Sequence, residues 1–271
     1  MQMKIQITNP VKADTFSAIF QNMKLFADNI NIIFDEDKMF VQAIDSGHVS
    51  ILELNIPAAW FDSYEQTNAT IGVNSVIFFK ILSTRDKCQN IEIQCDEDAD
   101  KLLIRFVSDN KTVFDKTFEM PLVDLDAEMM SVPDMEYQAE FTLPSTNFYN
   151  LVNQLKMFGE TMDIECSEEK IILFSNSQDC GKMSAEISID DLTSFSIEEG
   201  EQIKMSFSLM HLYYIAQFHK LAKEVEMSFK RGYPVQIVYN LGDSDTTLRF
   251  YLAPKISEDD DWLRYFIMLY I

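Results

Sequence analysis

A chain of 271 residues that is 47% hydrophobic and 12% aromatic can bury a real core, which excludes a disordered protein and suits one large or two ordinary domains. With 44 acids against 22 Lys and Arg, the net charge of −22 would repel nucleic acid if it were spread evenly, so the placement of the charges matters more than their sum. Cys88, Cys95, Cys166 and Cys180 show no C-x-x-C spacing, and there is no signal peptide or apolar run of about eighteen residues, which points to reduced thiols in an intracellular protein that does not enter a membrane.

Along the chain, Phe16, Ile19, Phe20, Met23 and Phe26 follow the spacing of one helix face, within a segment at 15–27. Then KLFADNINIIFDEDKMF at 24–40 gives an alternating run, an acidic turn and a second apolar run, which predicts a hairpin, and HVSILELNI at 48–56 is a third strand. A second helix is expected over 74–85, followed by the apolar runs IEIQC and KLLIRFV. The pattern then recurs. Phe148, Leu151, Val152, Leu155 and Phe158 repeat the first helix in a segment at 145–159, and KMFGETMDIECSEEKII at 156–172 stands over 24–40 without a gap. With a one-residue slip, GKMSAEISI at 181–189 faces 48–56, a helix over 207–223 matches the second, and VEMSF and VQIVYNL close the copy. Two halves of one plan, each with two helices and many strands, indicate an internal duplication and an α+β fold.

Between the halves lies MPLVDLDAEMMSV at 120–132, where acidic and aliphatic residues mix without a period and Pro121 and Pro133 bracket the run. Neither helix nor central strand should pass through, so the stretch reads as an extended strap whose apolar members, Leu122, Val123, Leu125, Met129, Met130 and Val132, lie in a groove on the first domain. The expected divisions are residues 1–119, the strap at 120–136, residues 137–258 and an apolar tail at 259–271.

No G-x-G-x-x-G or G-x-x-x-x-G-K-[ST] loop is present, the histidines His48, His211 and His219 lack metal-ligand spacing, and no Ser sits in a G-x-S-x-G elbow. These absences give no catalytic residue, no metal and no cofactor, and they argue against an enzyme. The four helix segments contain no Asp or Glu in a chain where 44 of 271 residues are acidic. Their polar faces carry Lys24, Lys80, Arg85, Lys156, Lys220 and Lys223 among neutral Asn, Gln and His. Lysines spread over four helices make a diffuse field suited to duplex DNA, whereas helices packed face to face would need no charge.

With these features in place, the sequence resembles the sliding clamps of the proliferating cell nuclear antigen family from about residue 3 to residue 258. VQAIDSGHVSILEL at 41–54, MPLVDLDAEMMSVPDMEY at 120–137 and FYLAPKISED at 250–259 carry the resemblance. It implies the DNA clamp fold: two similar domains, each of two βαβββ units, with helices lining a ring interior and antiparallel sheets outside. It further implies a homotrimer joined head to tail, with Phe118 and Met120 on the strand near 112–120 of one subunit meeting Met183 and Ala185 on the strand near 182–188 of the next.

Carried over by position, Lys24 and Lys80 face the DNA by the resemblance, while Lys156, Lys220 and Lys223 replace other basic positions approximately. The implied partner groove lies under the strap and consists of Ile44, His48, Val49, Ile51, Met130, Val132, Pro234, Tyr251, Ala253 and Pro254. Its implied ligands are proteins with a Q-x-x-[ILM]-x-x-aromatic-aromatic motif, such as flap endonuclease and DNA ligase, beside a DNA polymerase and a clamp loader. The implied location is the nucleus, or the site of viral DNA replication if the chain is virus-encoded.

Two departures stand out. Ser17, Ala18, Ser83, Asn150, Asn153, Met210 and Gln217 occupy positions that are Lys or Arg in the family, so the lining is less positive than usual. The chain also ends in DDDWLRYFIMLYI rather than an acidic tail. Asp259, Trp262, Tyr265 and Phe266 make it a degenerate copy of the partner motif, so it either plugs the groove or packs elsewhere. The rival to a ring is a monomeric or dimeric processivity subunit of the same fold. A third class, a metal-dependent enzyme on DNA, would have to use DLD at 124–126 or DEDAD at 96–100.

Overall fold

The computed structural model describes residues 3–65, 69–96, 99–125, 129–133, 135–242 and 245–255. The chain divides into two compact units. Unit 1 takes the residues up to Ile44, Leu52–Met129 and Leu241–Thr247, and unit 2 takes Asp45–Ile51, Met130–Asn240 and Leu248 onward.

Unit 1 runs β1 (Met3–Ile7), α1 (Pro10–Met23), β2 (Asn29–Phe34), β3 (Lys38–Ile44) and β4 (Ser50–Pro57), which belongs to it from Leu52. After the short β5 (Ser63–Glu65) the order recurs as β6 (Ala69–Asn74), α2 (Ser75–Leu82), β7 (Asn90–Cys95), β8 (Lys101–Val107) and β9 (Lys116–Pro121). Within the unit the strand orders are β5-β1-β7-β8-β9 and β6-β2-β3-β4. Each copy lends its first strand to the other copy's sheet. Thus β1 pairs antiparallel with β7, Ile5 opposite Ile93, and β2 with β6, Ile32 opposite Ile71.

Unit 2 repeats this topology. It holds β10 (Ala139–Pro144), α3 (Ser145–Leu155), β11 (Thr161–Cys166), β12 (Lys170–Ser177), β13 (Gly181–Ser188), β14 (Ser194–Ile197), β15 (Ile203–Ser208), α4 (Leu209–Ala216), β16 (Glu224–Phe229), β17 (Val235–Asn240) and, from Leu248, β18 (Thr247–Leu252). Within this unit the strand orders are β14-β10-β16-β17-β18 and β15-β11-β12-β13, with Phe141 opposite Met227 and Met162 opposite Phe207. The expected α+β clamp fold of paired βαβββ copies is therefore what these residues form.

The local causes are legible. Met39, Val41 and Ala43 alternate with less buried neighbours along β3, as antiparallel strands with one covered face require. The helices bury aromatic side chains: Phe78 of α2 meets Phe20 of α1 edge-on at 4.7 Å, and Phe16 lies 4.9 Å from Phe20. In each unit one helix begins with a buried serine whose hydroxyl bonds carbonyls that follow the other helix. Ser75 donates to Ala27 at 2.5 Å and Ser145 to Ala222 at 2.5 Å, which ties the helix ends together.

Three sequence expectations need correction. α1 starts at Pro10, ahead of the segment at 15–27, because Asn9 caps it by accepting from the Val11 and Lys12 amides and Pro10 fits the first turn. That first turn exposes Val11, so the apolar period did not reveal it. α1 consequently contains Asp14, the single acid of the four α-helices among the described residues, and Asp14 pairs with Arg85. The segment at 207–223 is shorter than expected as an α-helix: Phe207 and Ser208 finish β15, and after Ala216 the chain tightens into a 3-10 turn at Gln217–Lys220. Finally, the slip in the duplication runs the other way. β2 and β11 align as expected, but Ser50 of β4 matches Gly181 of β13, because the first hairpin has one more residue than the second.

The strap is neither helix nor strand where described, from Leu122 to Leu125 and from Met129 to Pro133. Val123 donates to the Gly72 carbonyl at 2.9 Å and Asn31 Nδ2 to the Leu125 carbonyl at 3.3 Å, which lays this stretch across β6 and β2. A Cβ on Gly72 would stand 2.0 Å from the Val123 carbonyl oxygen, so only glycine admits the strap there. The duplication reaches this point as well, since Lys255 donates to the Ser206 carbonyl at the matching place in unit 2.

Candidate partner groove and nucleic-acid interface

Nine of the ten residues expected in the groove belong to unit 2, which also holds the loop Asp45–Val49. The Asp45 carboxylate organises this loop. Oδ1 accepts from the amides of Val49 at 2.8 Å and Ser50 at 2.5 Å, and from the Ser50 hydroxyl at 3.0 Å. Oδ2 accepts from the Gly47 amide at 2.8 Å and faces His211 Nε2 at 3.4 Å. Burial works against ionisation of this carboxyl, but the hydrogen bonds from Ser50, Gly47 and Val49 outweigh it and hold its pKa below the ordinary carboxylate value.

His48 is thereby thrust outward, exposed, with φ of 53°, a left-handed conformation unusual for any residue but glycine. The Val49 carbonyl accepts from the Ala253 amide at 2.9 Å, so the loop is joined to the residues after β18. Ile51, Tyr251 and Ala253 are buried, while Val49, Met130, Val132, Pro234 and Pro254 are half-buried, an apolar set with open members. Tyr251 keeps its hydroxyl polar, accepting from Gln236 at 3.2 Å. Ile44 is grouped with unit 1, where it lines a cavity of about 180 Å³ together with Ala43, Leu125 and Met129. Met129 itself is 56% exposed, so the strap does not bury every apolar member.

The lysines fall into matching places. Lys24 caps the C-terminus of α1 and Lys156 that of α3. The Lys24 ammonium lies 4.3 Å from the Phe79 ring of α2, and that of Lys156 lies 3.6 Å from the Tyr213 ring of α4. Lys80 is exposed in the last turn of α2. Lys220 and Lys223, both exposed, border an open cavity of about 510 Å³ at the start of α3, shared with Ser145, Thr146 and His219. α3 begins without a side-chain cap, and the partial positive charge of its N-terminus adds to theirs.

Residues 9–129 match the family model described as proliferating cell nuclear antigen, N-terminal domain, and residues 131–256 match that of its C-terminal domain. The chain belongs to the proliferating cell nuclear antigen family. Proteins of this family are non-enzymatic DNA sliding clamps that serve replication and repair, associate with DNA and clamp-binding replication proteins, and self-assemble.

In this PCNA-family chain the positions expected at the subunit contact lie on sheet-terminal strands. Phe118 and Met120 are on β9, which ends one sheet of unit 1, and Met183 and Ala185 on β13, which ends one sheet of unit 2. No group of three or more His, Cys, Asp or Glu is placed to hold a metal among the described residues, and no described helix is long and apolar enough to cross a membrane. Cys88 and Cys180 are exposed thiols, Cys95 is half-buried and Cys166 buried. The tail at 259–271, with Asp259, Trp262, Tyr265 and Phe266, lies outside the described residues, as do parts of DLD and DEDAD.

Sequence reasoning missed Asp45, His211, Phe79 and Tyr213. Asp45 had a usable signal, because Asp two residues before Gly favours a side-chain-braced turn. The two aromatic residues had none, since their spacing reads as ordinary helix packing.

Proposed function

We propose that this chain forms a homotrimeric ring that encircles duplex DNA, tethers a polymerase to its template and docks replication proteins through a hydrophobic groove under the strap. The observation that carries this reading is the acid-poor helix pair repeated in both units, with α1 and α3 each ending on a lysine C-cap, in a chain of net charge −22. Encirclement needs little from each cation, because a closed ring stays on DNA by topology and weak phosphate contacts still let it slide. β9 and β13 would close the ring head to tail through Phe118, Met120, Met183 and Ala185, turning two exposed sheet edges into a continuous ladder.

The groove would take the Q-x-x-[ILM]-x-x-aromatic-aromatic motif of proteins such as flap endonuclease and DNA ligase. Buried Ile51, Tyr251 and Ala253 would form its floor, with Val49, Met130, Val132, Pro234 and Pro254 along it. A clamp loader would open the ring, and the site of action would be the nucleus or a viral replication compartment. The domain limits at 119, 136 and 258 belong to this proposal. The test is retention on circular DNA after loading: a ring is lost when the circle is linearised, while a monomeric or dimeric subunit held by charge alone is lost by raising salt.

A further inference from the structure

Four lysines on described strands pair with carboxylates: Lys101 with Glu119 at 2.9 Å, Lys116 with Asp86 at 2.7 Å, Lys170 with Glu186 at 2.9 Å and Lys204 with Glu165 at 3.2 Å. Lys24 and Lys156 instead meet aromatic rings. Cation–π contacts occur elsewhere in the chain, at Lys12 and Trp60 for example, but this pair recurs by duplication. Both lysines are C-caps of the first helix in their unit, and both rings come from the fifth residue of the second helix. The surrounding helices supply no acid apart from Asp14, which is engaged with Arg85.

An ammonium on a ring keeps its full positive charge, whereas one paired with a carboxylate loses most of its outward field. The ring occupies one side of the ammonium and leaves donors free on the other. It also restricts a long flexible side chain before any ligand arrives, so less freedom is lost on binding. The duplicated placement means that each unit presents one such held charge beside its helix ends.

We propose that Phe79 and Tyr213 are positioning residues for DNA, seating the Lys24 and Lys156 ammonium groups where they meet phosphate. The inference rests on the duplex-binding reading given above. It explains how a lining with few cations can contact phosphate: two of its lysines per chain are held in place and left unneutralised.

The test uses the full chain with 13C-methylated lysines and a short duplex. In the wild type the methyl resonances of Lys24 and Lys156 should carry upfield ring-current shifts, which F79L and Y213L remove and Y213F keeps. Duplex affinity at low salt should fall about 2- to 5-fold for each leucine variant, the scale of one exposed cation–π contact, and stay at the wild-type value for Y213F. On a Lys156→Gln background, Y213L should have no further effect. A Y213L loss that persists on that background, or wild-type affinity in both leucine variants, would overturn the inference alone. A wild-type chain with the ring-current shifts but no salt-dependent duplex binding would overturn the duplex-binding reading as well.

Discussion

Replacing Asp45 with alanine removes at one stroke the acceptor of three backbone amides and one hydroxyl, those of Gly47, Val49 and Ser50. Ser50 is buried, so its orphaned amide has no water to turn to, while the exposed Gly47 amide does. Leaving a buried donor unpaired costs about 1–3 kcal/mol, and with the partly screened Gly47 and Val49 amides the loop should lose about 2–4 kcal/mol. Asp45→Asn keeps one oxygen for Val49 and Ser50 but turns an NH2 group toward the Gly47 amide, a smaller loss of about 1 kcal/mol. Hydrogen exchange at Ser50 should therefore quicken at least about 30-fold in the alanine variant. Partner-peptide affinity should fall with the population of the ordered loop.

The sign with pH follows from the carboxyl, whose pKa is below its unfolded value. Its stabilisation is present above the unfolded pKa of about 3.9 and disappears as pH falls through the lower folded value, so the loop should hold from neutral pH down to about 4 and loosen only below. Native exchange rates at Ser50 together with native peptide affinity in Asp45→Ala would refute this role.

Gly72→Ala should displace the strap, since the new methyl would meet the Val123 carbonyl at 2.0 Å; a cost of about 2 kcal/mol or more is expected from forced backbone movement, and an unchanged melting temperature would contradict it. Met130→Asp and Val132→Asp should abolish binding of a partner peptide without disturbing assembly, because a charge in an apolar groove costs several kcal/mol, about 2 or more. Retained affinity in calorimetry would remove these two positions from the groove. Replacing Lys24, Lys80, Lys156 and Lys220 together by glutamine should flatten the salt dependence of duplex binding, while each single change costs only a few-fold in affinity; a quadruple variant with wild-type loading on circular DNA would show that the helices do not meet the duplex.

Much of this was legible in the sequence because the duplication prints each element twice. The burial period of α1 reappears in α3, and the hairpins β2–β3 and β11–β12 share one spacing. What stayed hidden depends on contacts rather than periods. The first turn of α1 is exposed, so its start is marked only by Asn9 and Pro10. The extra residue in the first hairpin belongs to the loop that Asp45 braces, and an alignment by apolar pattern slid two residues along the same strand face without penalty. The residues expected in the groove came from matched motifs, which carry no information on how the chain divides, so Ile44 of unit 1 stood among residues of unit 2. Tyr213 has the spacing of a helix-packing residue, and what sets it apart is the Lys156 ammonium on its ring, a contact no period encodes.

Ring closure is tested most directly by molar mass in solution, followed by light scattering across a dilution series. Three chains of 31.4 kDa in a closed head-to-tail assembly predict a species of about 94 kDa, and a charge on β13 such as Ala185→Asp should collapse it toward the single chain. A stable monomer or dimer of the unaltered chain at micromolar concentration would contradict the ring.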